Sequence, residues 1–262
     1  MPSACLVHFT DSHLYGDAAQ TLRGVATLRS LEMTRARARE DERSAHAILV
    51  TGDLVQDDPG GYAHFRAVFG SLGKPVLCLP GNHDLLPEMR RALSEPPFQY
   101  GGWYDVESWR IVLLDSVVAG QAGGRLARAE LARLDETLAT ASGRHALVCL
   151  HHQPVPMASR WLDEVGLENP DDFFAVIDRH RHVRSILWGH VHQAYDGLRK
   201  GVRLLATPAT CGQFLPQSDE FAVDEAPPAY RTLELRENGT LGTRLVWVDE
   251  FARATHAAQP AA

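Results

Sequence analysis

The sequence predicts an α/β fold in which a sheet is covered on both faces and a second sheet is stacked on it. Six short apolar runs recur along the chain, and each is continuous rather than alternating, as expected for strands buried on both sides. Loops rich in Asp, Gly, Asn and His follow the runs, and helical stretches lie between them. The six runs are Cys5–Phe9, Ala47–Val50, Val76–Leu79, Ile111–Leu114, Ala146–Leu150 and Ser185–Trp188.

Four stretches between the runs favour helices. Residues 20–43 are rich in Leu, Ala, Arg and Glu, and residues 61–72 follow a Pro-Gly-Gly start. Residues 126–141 carry leucines at the spacing of one helix face. Residues 170–180 begin with Pro170 and two aspartates, which suit the first turn of a helix.

The segment after residue 201 differs from the rest and predicts three further strands. These are Val202–Ala206, Arg231–Leu235 and Leu241–Val248, and Asn238-Gly239 between the last two is a hairpin turn signal. We interpret the three strands as the second sheet. Residues 1–250 are predicted to form one domain, and residues 251–262, which are small and polar, to form a disordered tail.

Composition narrows the classes of function. The 262-residue chain carries a formal net charge of -7, which argues against binding a nucleic-acid duplex. An apolar run long enough to span a membrane is missing from the sequence. The N-terminus lacks the features of a signal peptide, and the four cysteines form no C-x-x-C pair, so we expect a cytoplasmic protein with reduced thiols. The sequence is compatible with a homo-oligomer.

Side chains that can bind metals follow five of the predicted strands. Because the carboxyl ends of strands in an open α/β sheet face one crevice, we expect these groups to converge. Carboxylate, imidazole and amide donors suit Mn, Fe or Zn better than a soft thiolate site does. An Asp between two such ions can bridge them. The groups are Asp11 and His13, Asp53, Asn82 with His83, His151 with His152, and His190 with His192.

These blocks resemble the five signature blocks of the calcineurin-like metallophosphoesterases. The resemblance implies a four-layer αββα sandwich of two stacked mixed sheets and a site for two divalent metal ions, either Fe, Mn or Zn. It implies that Asp53 bridges the ions and that His83, rather than binding metal, faces the scissile phosphate. The implied ligands are Asp11, His13, Asp53 and His192 at the first ion, and Asp53, Asn82, His151 and His190 at the second.

Two sets of residues near the site have alternative roles. His151 is the ligand by resemblance, and its neighbour His152 is left as either a loop-orienting residue or the ligand itself. Asp57, Asp58 and Asp84 are candidates to fix histidine tautomers or are plain turn residues. Among these three we favour Asp84, because it directly follows His83.

A narrower resemblance extends over nearly the whole chain. The blocks 52–57, 161–163, 205–214 and 230–235 resemble the bacterial class III 3',5'-cyclic AMP phosphodiesterases. This resemblance implies hydrolysis of cyclic AMP to 5'-AMP by in-line attack of a metal-bridging hydroxide, with Asn82 and His83 as catalytic residues. The partner is then a small cyclic nucleotide or phosphodiester. The implied substrate-binding residues are His13, Asp53, Asn82, His83, His192, Trp161 and Phe214.

Other functions stay open at this stage. The same two-metal chemistry serves 2',3'-cyclic nucleotides, glycerophosphodiesters or, in a phosphatase, phosphoproteins. A non-catalytic, metal-stabilised scaffold that binds a protein is a third class. Trp161 and Phe214 either form a slot for a purine or only pack their own loops.

Overall fold

A computed structural model describes residues 3–141 and 143–250 of the chain, and the predicted disordered tail lies outside these residues. The described part contains sixteen strands and six helices. The strands are β1 Ser3–Phe9, β2 Thr21–Leu22, β3 Val25–Ala26, β4 Ala47–Thr51, β5 Val76–Leu79, β6 Phe98–Tyr100, β7 Gly102–Val106, β8 Trp109–Leu113, β9 His145–Cys149, β10 Val183–Trp188, β11 Tyr195–Arg199, β12 Val202–Ala206, β13 Gln213–Phe214, β14 Val223–Asp224, β15 Ala229–Arg236 and β16 Leu241–Trp247. The helices are α1 Thr27–Ser44, α2 Gly61–Phe69, α3 Leu86–Ala92, α4 Arg128–Ala139, α5 Arg160–Asp163 and α6 Pro170–Ile177.

Twelve of the strands form two six-stranded mixed sheets. The first sheet has the order β16-β15-β1-β4-β5-β6, with β1, β4, β5 and β6 parallel and β15 antiparallel to both of its neighbours. The second sheet has the order β11-β12-β10-β9-β8-β7, with the four central strands parallel and an antiparallel strand at each edge.

The expectation that the strands after residue 201 make up the second sheet is wrong. The strand β12 inserts into the second sheet between β10 and β11, whereas the hairpin β15–β16 pairs with β1 in the first sheet. The second sheet instead begins with β7 and β8 in the middle of the chain. The hairpin covers the edge of β1, whose N–H and C=O groups would otherwise be left unpaired on that side.

Three apolar clusters divide the molecule into four layers. Leu6 and Leu49 of the first sheet meet Leu147 and Leu205 of the second in a cluster between the two sheets. A second cluster packs the opposite face of the first sheet against α1, α2 and α3, and a third packs the outer face of the second sheet against α4 and α6. This arrangement confirms the αββα sandwich, and it explains why the strands are apolar on both faces.

The helices predicted around residues 61, 126 and 170 are confirmed with shorter ends, but the first helix starts later than expected. Residues 21–26 form the small hairpin β2–β3, and α1 begins at Thr27. The turn of this hairpin is the pair Arg23 and Gly24, with φ values of 51° and 84°. Both residues with positive φ match the mirror-image turn that two-residue hairpins favour.

The strand ends of both sheets meet at one edge of the sandwich. β1, β4 and β5 bring their carboxyl ends there from the first sheet, and β9 and β10 do so from the second. The backbone N–H of Asp11 after β1 donates to the carbonyl of Gly52 after β4, so neighbouring loops are tied together. Among the described helices, none combines the length and apolarity needed to cross a bilayer.

Candidate metal centre

Five of the seven predicted ligands adopt a left-handed backbone. Asp11, His13 and Asp53 have φ values of 54°, 46° and 50°, and His190 and His192 have values of 65° and 47°. Such a conformation costs a residue with a Cβ roughly 1–2 kcal/mol. Strain of this kind concentrates at functional sites, where the surrounding structure enforces it. Here the sharp turns aim consecutive ligands inward from the strand ends.

Hydrogen bonds and close contacts hold these turns in place. The backbone N–H of His13 donates to the carbonyl of Asp53 at 2.9 Å, and the N–H of His190 donates to the Asp11 carboxylate at 3.0 Å. A Cβ at Gly189 would lie 2.1 Å from Thr10 Oγ1, and one at Gly81 would lie 2.2 Å from Asp53 Oδ1. Glycine is therefore required at both positions because larger residues would displace the ligand loops.

The first group of predicted ligands forms a compact, buried cluster. His13 Nε2 and His192 Nε2 are 3.1 Å apart, and His192 Nε2 is 3.4 Å from Asp11 Oδ1. Asp53 Oδ2 lies 3.6 Å from His13 Nε2. The structure thus brings together the four residues predicted for the first ion.

The second group meets the first at Asp53. His151 Nε2 lies 3.3 Å from Asp53 Oδ2 and 3.3 Å from Asn82 Oδ1. The ring of His190 is 5.0 Å from that of His151, measured between centroids. Because the same oxygen of Asp53 approaches one histidine from each group, its position is the one that a bridging ligand needs.

The four histidines of these groups share one hydrogen-bonding pattern. Each donates one ring N–H to a carbonyl oxygen, which leaves its other ring nitrogen free to bind an ion, as ligating histidines usually do. The pairs are His13 Nδ1 with Gln56 Oε1 at 2.8 Å, His151 Nδ1 with Thr51 O at 2.7 Å, His190 Nε2 with Val165 O at 3.1 Å, and His192 Nδ1 with Gly212 O at 2.7 Å.

This donor set fits divalent cations. Two ring nitrogens whose lone pairs face each other at 3.1 Å, beside two buried carboxylates, repel one another unless positive charge lies between them. Protons supply that charge when no ion is present. Burial lowers the pKa of His192, but the Asp11 carboxylate and Cys211 together outweigh it and raise the pKa to about 10. Likewise, Asp53 overcomes burial and raises the pKa of His151 to about 9. Any ion must displace these protons.

His83 lies beside both groups without joining their buried core. Its backbone N–H donates to Asp53 Oδ1 at 2.9 Å, while its side chain is 34% exposed. Its Nδ1 lies 2.8 Å from both Asp57 Oδ2 and Gln56 Nε2. Asp57 and Gln56, rather than Asp84, therefore orient this ring, and the preference for Asp84 in that role is wrong.

Asp84 instead organises the loop after β5. Its carboxylate accepts hydrogen bonds from the backbone N–H groups of Gly81 and Leu54 and from the Tyr62 hydroxyl. Burial, with a further contribution from the nearby Asp53 charge, raises the pKa of Asp84 to about 7. The sequence did not indicate Gln56 as a partner of the histidines, although this residue lies within the 52–57 block.

The two adjacent histidines after β9 have different surroundings. Both ring nitrogens of His152 are engaged, Nδ1 with Ser116 Oγ at 2.8 Å and Nε2 with Ala122 O at 3.2 Å. His151 keeps Nε2 directed at Asp53. This geometry favours His151 as the ligand and His152 as the residue that supports it. Ser116 is therefore a hydrogen-bond partner of His152.

A cavity of about 230 Å³ opens onto both groups. Trp161 and Phe214 line it, and so do Leu22 and Arg23 of the β2–β3 hairpin, which the sequence did not indicate. Phe214 stacks on His192 with a centroid distance of 4.1 Å and an interplanar angle of 8°. Trp161 meets Phe214 nearly edge to face at 5.1 Å. Both predicted aromatics therefore line the cavity, and Phe214 contacts a predicted ligand.

Comparison with known proteins agrees with this geometry. The family model of the calcineurin-like phosphoesterases matches residues 6–194, which include every predicted ligand, so the chain belongs to this family. The family implies a dinuclear metal site, and the described residues contain the clusters to hold one.

Relatives that are named for an enzymatic activity align with most of the chain. The 3',5'-cyclic adenosine monophosphate phosphodiesterase CpdA of Pseudomonas aeruginosa is 39% identical over 95% of this chain and 91% of its own length. The enzyme of the same name from Escherichia coli K12 is 39% identical over 92% of this chain and 88% of its own. A 3',5'-cyclic-nucleotide phosphodiesterase of Nostoc is 34% identical over 92% of this chain and 91% of its own.

Solved structures share the fold at low sequence identity. A dimetal phosphatase from Danio rerio aligns with a TM-score of 0.66 and 14% identity, over 95% of this chain and all of its own. The purple acid phosphatase PPD1 of yellow lupin aligns with a TM-score of 0.68 and 12% identity, over 95% of this chain and 52% of its own. These likenesses concern the fold alone.

Proposed function

We propose that this chain is a cyclic-nucleotide phosphodiesterase that hydrolyses 3',5'-cyclic AMP to 5'-AMP. The observation that carries the proposal is the set of relatives named for this activity, which match at 34–39% identity along nearly their whole length. The site adds a second line of support. Its two ligand groups share Asp53, as a reaction at two adjacent ions requires.

The residues that hold the ions divide as the resemblance implies. Asp11, His13 and His192 belong to the first ion, Asn82, His151 and His190 belong to the second, and Asp53 belongs to both. When bound, two divalent ions supply Lewis acidity to the phosphate ester and lower the pKa of water. Oxygen and imidazole donors without a thiolate suit Fe, Mn or Zn. Metal analysis of protein purified without added metal, followed by reconstitution with each ion, distinguishes the three.

The protein's own contribution at the phosphate falls to Asn82 and His83. Both side chains line the cavity, and Asn82 places its amide next to the ligand groups. Within the described residues, His83 Nε2 has no partner, whereas Asp57 and Gln56 hold Nδ1. When both ring nitrogens carry protons, Nδ1 donates to Asp57 and the free Nε2 donates its proton to the departing 3'-oxygen.

A substrate comparison tests the proposal. The metal-loaded protein is assayed with cyclic AMP, cyclic GMP, 2',3'-cyclic AMP and glycerophosphoethanolamine, and products are resolved by chromatography. We expect the highest kcat/KM with cyclic AMP and 5'-AMP as its sole product. A higher kcat/KM for 2',3'-cyclic AMP or glycerophosphoethanolamine would replace the cyclic AMP assignment with another phosphodiester. No turnover of any ester would favour a scaffold.

A further inference from the structure

The tip of the β2–β3 hairpin places an arginine at the mouth of the cavity. Arg23 occupies the first position of a two-residue turn in which both φ angles are positive. That position favours Asn, Asp or Gly, so an arginine is held there against its own backbone preference. Strain at an exposed turn that lines the cavity indicates a role for the side chain.

The guanidinium of Arg23 lies over aromatic rings instead of pairing with an acid. Its Cζ is 4.2 Å from the ring centroid of Phe221 and 5.1 Å from that of Phe214. Within residues 3–141 and 143–250, its side chain has no hydrogen bond or ion pair. Phe221 is itself 46% exposed, so the pair stands at the rim of the cavity.

Phe214 and Trp161, unlike the exposed Phe221, are engaged by other rings. One face of Phe214 is covered by the stacked ring of His192 at 4.1 Å. The ring of Trp161 is tied edge to face to both phenylalanines, at 5.1 Å and 5.2 Å. Its indole nitrogen is buried and has no partner among the described residues. The guanidinium of Arg23 is a flat group at this rim whose hydrogen-bond donors have no partner among the described residues.

We infer that Arg23 is a specificity-determining residue that stacks on the nucleobase of the substrate, with Phe221 as its backing. Guanidinium planes are known stacking partners of splayed-out bases, and a cation held over an aromatic ring extends that ring's flat surface. The phosphate of a bound nucleotide would lie at the ligand groups, and its base would then lie at the rim of the cavity. This inference rests on the proposed function, since it presumes a nucleotide in the cavity.

The matched variant is Arg23→Asn. Asn accepts the left-handed turn better than Arg does, so this change removes the guanidinium without straining the hairpin. The metal-loaded proteins are titrated calorimetrically with 5'-AMP and with ribose 5-phosphate, which lacks the base. We expect the Kd for 5'-AMP to rise roughly tenfold, the scale of losing one stacked base, while the Kd for ribose 5-phosphate stays constant. The KM for cyclic AMP rises with it at unchanged kcat.

Two further variants sharpen the outcome. Arg23→Lys keeps the charge but loses the plane, and we expect it to behave like Arg23→Asn. Arg160→Asn, at an exposed arginine beside Trp161 that does not line the cavity, should change neither Kd.

Three results would overturn the inference: full affinity in Arg23→Lys, equal losses for both ligands in Arg23→Asn, or wild-type protein that binds 5'-AMP no better than ribose 5-phosphate. Failure of the proposed function is a separate result, namely wild-type protein that does not hydrolyse cyclic AMP.

Discussion

The cavity has two ends that are built in different ways. The metal end consists of the seven predicted ligands at the ends of buried strands, where backbone and tautomers are fixed by hydrogen bonds. The base end comprises Arg23 in the β2–β3 hairpin, Trp161 in the single-turn helix α5 and Phe221 in a loop, and it is partly exposed. The chemistry of the ester is thus anchored in the core, whereas recognition of what the ester is attached to depends on the surface.

Removing the shared ligand Asp53 should abolish both metal binding and turnover. Asp53→Ala deletes the oxygen that approaches both ligand groups, so we expect turnover to fall to background and metal content to drop at both positions. Asp115→Ala is the control, since Asp115 also ends a strand but contacts Tyr100 and the backbone of Val117. Two ions retained at full occupancy in Asp53→Ala would show that Asp53 does not bridge.

His83 separates catalysis from metal binding at the same end. His83→Ala should retain both ions and lose roughly 10²–10⁴ in kcat, the usual scale for a positioned acid or base. Metal content is measured alongside the rate. His64→Ala, at a histidine whose ring pairs with the carbonyl of Gly16, is expected to keep the wild-type rate. Loss of metal as the main effect of His83→Ala would move His83 into the ligand set.

Phe214 lies between the metal end and the base end. Substituting it shows whether it acts in metal binding or in substrate binding. Because its ring stacks on His192, Phe214→Leu should weaken the first ion roughly tenfold, as changes next to a ligand typically do. Trp161→Leu should leave metal affinity unchanged and raise the KM. Competition with a chromogenic chelator measures the first effect, and steady-state kinetics measures the second. A change in KM alone for Phe214→Leu would assign Phe214 to substrate binding.

The smallest expected effect concerns the pH dependence of folding stability and involves His8, a buried residue near the metal end. His8 is buried between Thr207 and Thr51, and burial, with Arg231, lowers its pKa to about 3. Its folded pKa is below the unfolded value near 6.5, so its contribution to stability is intact above pH 6.5 and is lost as pH falls. At pH 5 we expect a loss of about 2 kcal/mol from this residue.

Urea unfolding at pH 7.5 and pH 5 measures that loss. The difference between wild type and His8→Gln isolates His8 from the other buried histidines, which titrate in both proteins. An equal dependence on pH in the two proteins would mean that His8 does not contribute.

The sequence predicted the metal end of the cavity better than the base end. Ligand blocks at strand ends were visible because the chemistry restricts residue types and the strands are continuous apolar runs. The grouping of strands into sheets was not visible, since both sheets are buried on both faces and their strands look alike. The strand Gly102–Val106 was not predicted, because half-buried and exposed residues alternate along it at the edge of the sheet and it forms no continuous apolar run.

The base end escaped prediction for a different reason. The β2–β3 hairpin turns at Arg23-Gly24, which lacks the Asn-Gly pair that marked the turn at residue 238. Phe221 lies in a polar loop, and only folding brings it to Arg23. Contacts between residues about two hundred positions apart leave no local pattern in a single sequence.

The division of the ligands between the sheets has a mechanical consequence. Each proposed ion takes ligands from loops of the first sheet, through Asp53, and from loops of the second, through His192 or His151. The ions would therefore add a link between two layers that are otherwise joined by an apolar cluster and by hydrogen bonds such as that from the His190 N–H to Asp11. Removing them with a chelator should accelerate amide hydrogen exchange along β9 and β10 before any helix unfolds, and the molecule would open along the plane between its sheets.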